Sequence, residues 1–173
     1  MRRLLQVRPR GHAGQSLVEL AISLTVMLLL LVGAVTFGMA FFSYVAMRDA
    51  AQEGALYGSF NPYVDSNSNG VYDMSPSPEP VNLAGIRARI RATSTSPVDF
   101  SDTARVPDGY ITAVAVTGVA CEGNTSGVAN AIRVSVEYDF PIFMPFVGAI
   151  IGGQSIHMTA TVTDTILEPR CPP

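Results

Sequence analysis

The stretch 14-GQSLVELAISLTVMLLLLVGAVTFGMAFF-42 decides how the rest of the chain is read. Residues 20–42 carry no charge, and at about 1.5 Å of rise each they measure roughly 34 Å as a helix, enough for the ~30 Å hydrocarbon core of a bilayer. Lipid offers no hydrogen-bond partner to a backbone, so a lone apolar span there has to be helical. Ahead of it stand Arg2, Arg3, Arg8 and Arg10 with no acidic residue among them. Such a leader keeps the amino end in the cytoplasm and sends the remainder outside, at the cytoplasmic membrane. Glu19 lies at the edge of the apolar run, where an unpaired carboxylate is costly and asks for a partner. Val32-Gly33-Ala34 has the small residues of a secretory cleavage site, but the apolar run continues to Phe42 and exceeds a signal core.

Gly14, Gln15-Ser16-Leu17-Val18 and Glu19, followed directly by an apolar helix, resemble the processing site of type IV pilin-like proteins. The resemblance implies cutting between Gly14 and Gln15 by a prepilin-type peptidase. It also implies that the Glu19 carboxylate meets the new amino terminus of a neighbouring subunit. The alternative is an uncleaved anchor with Glu19 at the headgroup level.

Beyond Phe42 the helical period continues and turns amphipathic, with Tyr44, Met47, Ala51 and Ala55 on one side and Arg48, Asp49, Gln52 and Glu53 on the other. Gly58, with Asn61-Pro62 after it, is the expected stop. The organisation that follows is a basic leader over 1–14, a transmembrane helix with an amphipathic extension over 15–58, and one exported domain over 59–173. The run Ala50-Ala51-Gln52-Glu53-Gly54-Ala55 resembles the small-residue motif that follows the membrane helix in TadE-like proteins, the minor pseudopilin-type components of the tight-adherence pilus system. That resemblance implies the bilayer, the peptidase, other pilin-like subunits and pilus assembly proteins as partners.

After leader and helix, about 115 of the 173 residues remain, room for one small domain. Every base is an arginine, and without the leader's four the seven that remain face fourteen acids, near −7. A chain so acidic is a poor nucleic-acid binder. Cys121 and Cys171 both lie on the oxidising side of the span, where a disulfide between them would close a loop of about 50 residues and contribute about 4 kcal/mol in the chain-entropy model. Two free thiols are the alternative.

The exported part reads as α+β. Residues 59–80 form a polar loop containing Asp65, Asn67, Asn69, Gly70, Val71 and Asp73. This spacing reads two ways. Oxygen ligands at alternate positions, with the Val71 carbonyl among them, suit Ca2+, although Pro76 stands where the bidentate acid of such a loop is expected. Otherwise it is a polar turn rich in Asn. Residues 82–93 give a short amphipathic helix with Leu83, Ile86 and Ile90 on its apolar stripe and Arg87, Arg89 and Arg91 on a solvated face paired with acids. Residues 110–120, 131–140 and 154–166 read as strands of an antiparallel sheet of about three to four strands. Ile132, Val134, Val136 and Tyr138 face inward from the second, and Ile156, Met158, Ala160 and Val162 from the third. Residues 141–153 connect the last two strands and are almost wholly apolar, too short to cross a bilayer. They fit under the sheet, in the outer leaflet, or against another subunit. TadE-like domains end with similar segments.

Catalytic candidates are sparse. Lysine is absent, His157 is the sole histidine beyond the leader and falls on the outward phase of its strand, and no nucleophile, zinc or phosphate-loop motif occurs. Two function classes remain: a structural or assembly subunit of a pilus, or an uncleaved single-pass anchor carrying a binding module that Ca2+ stabilises. No cofactor is required by either. The residue at the mature amino terminus separates them.

Overall fold

The computed structural model describes residues 13–66, 68, 80–116, 131–142 and 152–167. Helix α1, Ala13–Phe60, is continuous over 48 residues, about 72 Å at 1.5 Å per residue. It runs two residues past the expected stop. Gly58 is buried inside it, and the end comes where the Asn61 N–H closes onto the Tyr57 carbonyl at 3.0 Å and Pro62 cannot continue. Its outer half carries the head. Met47, Ala50, Ala51 and Ala55 are buried there, whereas Tyr44, expected on that stripe, is exposed and Ser43 takes the inward position. Ser43 tolerates burial because its hydroxyl donates to the Met39 carbonyl at 2.9 Å.

Helix α2 spans Leu83–Arg91, and Asn82 caps it by accepting from the Gly85 N–H. Ile86 and Ile90 are fully buried against α1. A short 3-10 turn, Asp108–Tyr110, leads into a three-stranded antiparallel sheet in the order β1 (Ile111–Val116), β2 (Ala131–Pro141) and β3 (Ser155–Thr165). The α+β architecture is therefore a long amino-terminal helix laid across a small sheet, with one short helix beside it. One face of the sheet meets α1, and the central strand β2 buries Ile132, Val134, Val136, Tyr138 and Phe140 in strict alternation. On β3 Ala160 is buried and Met158 and Val162 are packed against the core. Ile156 has the same phase but is 45 % exposed. It sits at the end of the sheet, opposite Phe140.

Between α2 and the 3-10 turn the connection has no regular element, yet Val98, Phe100 and Val106 in it are fully buried. Arg91 organises it. Its guanidinium donates to the carbonyls of Phe100 at 2.7 Å and Val106 at 3.2 Å and pairs with Asp108 at 2.5 Å. The expected arginine face is thus only partly a solvated one. Arg89 pairs with Glu53 on α1, but Arg87 donates to the Ile111 carbonyl and Arg91 keeps 18 % of its side chain exposed. Removing the fork in Arg91→Ala leaves two buried carbonyls short of a donor, at about 1–3 kcal/mol each. Thermal melting of the detergent-solubilised chain should fall accordingly. Arg91→Lys should recover only part, because an ammonium lacks the planar fork.

Candidate functional site

Three regions carry chemistry beyond packing, and α1 passes through two of them. From residue 14 to 42 its large apolar side chains are exposed, from Leu17 at 67 % to Phe42 at 65 %. Its most apolar 18-residue window has a mean hydropathy of 2.5 and none of it is buried. The threonines turn inward on the helix itself: Thr25 donates to the Ala21 carbonyl and Thr36 to that of Val32. A segment with its threonine hydroxyls so satisfied and its apolar surface outward is built for lipid. It fits a single-pass membrane anchor.

Gly14 and Gln15 lie in the first turn of this helix, with Glu19 one turn further on, and all three are exposed. A Cβ at Gly14 would meet nothing within 4 Å. Glycine in a helix costs about 1 kcal/mol relative to alanine, and no contact among the described residues accounts for its presence there. The four leader arginines lie outside the described residues.

At the other end of α1 the small residues have a different cause. A Cβ built on Gly54 would stand 2.7 Å from both Cγ1 and Cδ1 of Ile90, and one on Gly58 would stand 2.9 Å from Cδ1 of Ile132 and 3.1 Å from that of Ile86. These isoleucines are fully buried and have nowhere to move. The run from Ala50 to Ala55 therefore lets the helix backbone approach α2 and the sheet closely enough to form one core. Within it Glu53 remains half-buried because it reaches Arg89.

The third region is the open face of the sheet at the β2–β3 end. Tyr110 donates its hydroxyl to Asp139 Oδ2 at 2.5 Å, and His157 Nδ1 lies 2.8 Å from Asp139 Oδ1, with the two rings edge to face. The hydrogen bond from Tyr110, then that from His157, holds the Asp139 carboxyl below the usual carboxylate range, and the same carboxylate raises the Tyr110 phenol. Because the Asp139 value is lowered, its contribution to stability is present above about pH 4 and is lost as pH falls through the folded value. The imidazole Nε2 faces Glu137 at 3.6 Å. Both ring nitrogens thus turn to carboxylates rather than to a hydroxyl awaiting deprotonation, which is the arrangement of a paired surface histidine. Local sequence pattern did not reveal this cluster, since it depends on the register Asp139 opposite His157.

Of the loop residues read as ligands, Asp65 is described and half-buried, above a stem closed by a bridge between Tyr63 and Val81. Asn67, Asn69, Val71 and Asp73 lie outside the described residues, as do Cys121 and Cys171. Among the described residues no group of three or more His, Cys, Asp or Glu side chains is placed to hold a metal ion.

Among the described residues the helix thus divides at about Phe42 into an exposed segment and one whose glycines are required by the packing of the head. Gly54→Leu should cost about 1–3 kcal/mol by overpacking, read as a lower melting temperature. Gly38→Leu, at a position where a Cβ meets nothing within 4 Å, should leave melting unchanged. No curated protein and no solved structure matches the chain. Residues 14–56, about a quarter of the chain, span both segments of the helix and match the family model of TadE-like proteins, the family that the small-residue run resembles.

Proposed function

We propose that this chain is a membrane-anchored, pilin-like structural or assembly subunit of a tight-adherence type pilus, with its amino terminus in the cytoplasm and its head outside. A prepilin-type peptidase removes the leader after Gly14, leaving Gln15 as the first residue. The observation that carries this reading is the family match over residues 14–56, which covers the exposed span and the buried small-residue run together. The space around Gly14, open among the described residues, supports it, since a glycine that packs against none of them suits the narrow site of a peptidase. Glu19 is the one ionisable side chain from residue 14 to 42. In an assembled bundle it neutralises the freed amino group of a neighbouring subunit, offsetting the cost of holding either charge away from water. The role is mechanical and recognitional rather than catalytic, and the partners are lipid, the peptidase and other pilin-like subunits.

Amino-terminal sequencing of the membrane-extracted protein should return Gln15, and Gly14→Lys should accumulate as a heavier species that keeps its arginines. Glu19→Ala should be cut normally but enter assemblies poorly, as measured by its share of the sheared filament fraction. A wild-type protein that retains Met1 would instead establish an uncleaved anchor.

A further inference from the structure

The head and the span are aligned so that two changes of polarity fall at one level. Gly58 meets Ile132 near the start of β2, and the Leu167 N–H donates to the Ser59 carbonyl just after β3. Met39, Phe42 and Ser43 face one groove with Phe140 and Pro141 at the other end of β2. β2 therefore runs antiparallel to α1. From Ile132 to Phe140 a strand advances about 26 Å, and the same distance back along the helix from Gly58 reaches about residue 41. That is where the uncharged run of α1 ends.

The strands lose their polarity at the same place. Asp139 and His157 stand opposite each other, and the next pair along is Phe140 with Ile156. One step further the Ile142 N–H still donates to the Gln154 carbonyl at 2.8 Å, so the two chains leave the sheet together in the direction of the apolar half of α1. The sequence joining them, residues 141–153, contains no polar side chain. Ile156 has the phase of a core residue yet is 45 % exposed, and the exposed Met39 and Phe42, which share a groove with Phe140 and Pro141 of the neighbouring strand, begin the span on α1. Apolar surface gathered at this level lacks cover in water and gains it in the acyl chains below a headgroup layer.

We infer that the membrane-side end of the sheet, at the half-buried Pro141 and the exposed Ser155 and Ile156, is a second lipid contact, seated in the leaflet from which α1 emerges. The inference rests on α1 being the membrane span. Asp139, His157 and Tyr110 then lie at headgroup depth on the open face, with their polar atoms paired to one another and turned toward water. The head is held at two points, by the helix and by the sheet end, and cannot swivel freely about the helix.

The chain contains no tryptophan, so a single introduced indole reports its own surroundings. Ile156→Trp and Val114→Trp both replace exposed apolar residues, the second opposite Arg133 and toward the far end of the sheet. Each full-length variant is reconstituted into phosphatidylcholine vesicles with plain or brominated acyl chains. Ile156→Trp should emit to the blue of Val114→Trp and lose most of its intensity in brominated lipid, while Val114→Trp should be unaffected by bromine. Equal, unquenched emission from both variants that float with vesicles would overturn the lipid contact while leaving the span intact. Blue-shifted emission from Ile156→Trp without bromine quenching would overturn it in favour of cover by a second copy. Failure of both variants to float would remove the span and the contact together.

Discussion

The structure depends on the distance at which the outer half of α1 passes the head. At Gly54 and Gly58 the helix backbone lies so near Ile90 and Ile132 that a single methyl group would collide. Close approach lets a thin layer of side chains, Met47, Ala50, Ala51 and Ala55 from the helix and Ile86, Val134 and Val136 from the head, form a dry core. A three-stranded sheet with one short helix has little apolar surface of its own to bury, and small domains are marginal for that reason. Here α1 supplies the missing layer. The head is therefore not a domain tethered to a helix, since its core includes the helix.

One consequence is that the same rod serves two solvents without a joint between them. No proline interrupts residues 13–60, and the glycines in the span do not break it. Below Phe42 the side chains are large, apolar and outward; above it the inward stripe becomes small and the outward face charged. Ser43 marks the change. It is the first fully covered position along α1, and a hydroxyl there is tolerated only because the helix itself accepts its proton.

How much of this was legible depended on whether the cause lay in local periodicity. The period-two alternation of β2 and the Ile86–Ile90 spacing of α2 follow from burial on one face, and both were readable from residue type alone. The inward stripe of α1 departs from the hydropathy pattern at Tyr44. Positions 43 and 44 fit the helical period equally well, and hydropathy prefers tyrosine, but the phase is set by the glycines further along. Glycine often ends helices, which makes Gly58 look like a stop, whereas here it removes a clash with a residue 74 positions away. The packed coil around Phe100 has no period to detect. Its order comes from one guanidinium reaching carbonyls 9 and 15 residues distant. Of the candidate site, Gly14 and Glu19 stood out by position, while the Tyr110–Asp139–His157 cluster needed the strand register, which no local pattern contains.

If the chain is such a subunit, continuity of the rod also constrains how it would leave the bilayer. With Phe140 level with Phe42 and the core rigid between them, axial movement of the helix by one turn, about 5.4 Å, moves the sheet end by the same amount. On the proposed reading, extraction then exposes two apolar surfaces at once, the span and the sheet end, and neither can be re-covered by bending the helix. Neighbouring subunits must replace lipid along the whole length as the movement proceeds. On that reading the same passage would bring Glu19 from the membrane edge into a dry environment, where an unneutralised carboxylate is least tolerated. On the same proposed reading, pairing with a freed amino terminus would meet that requirement at the step where it becomes severe, and would tie leader removal to assembly rather than to export of the head.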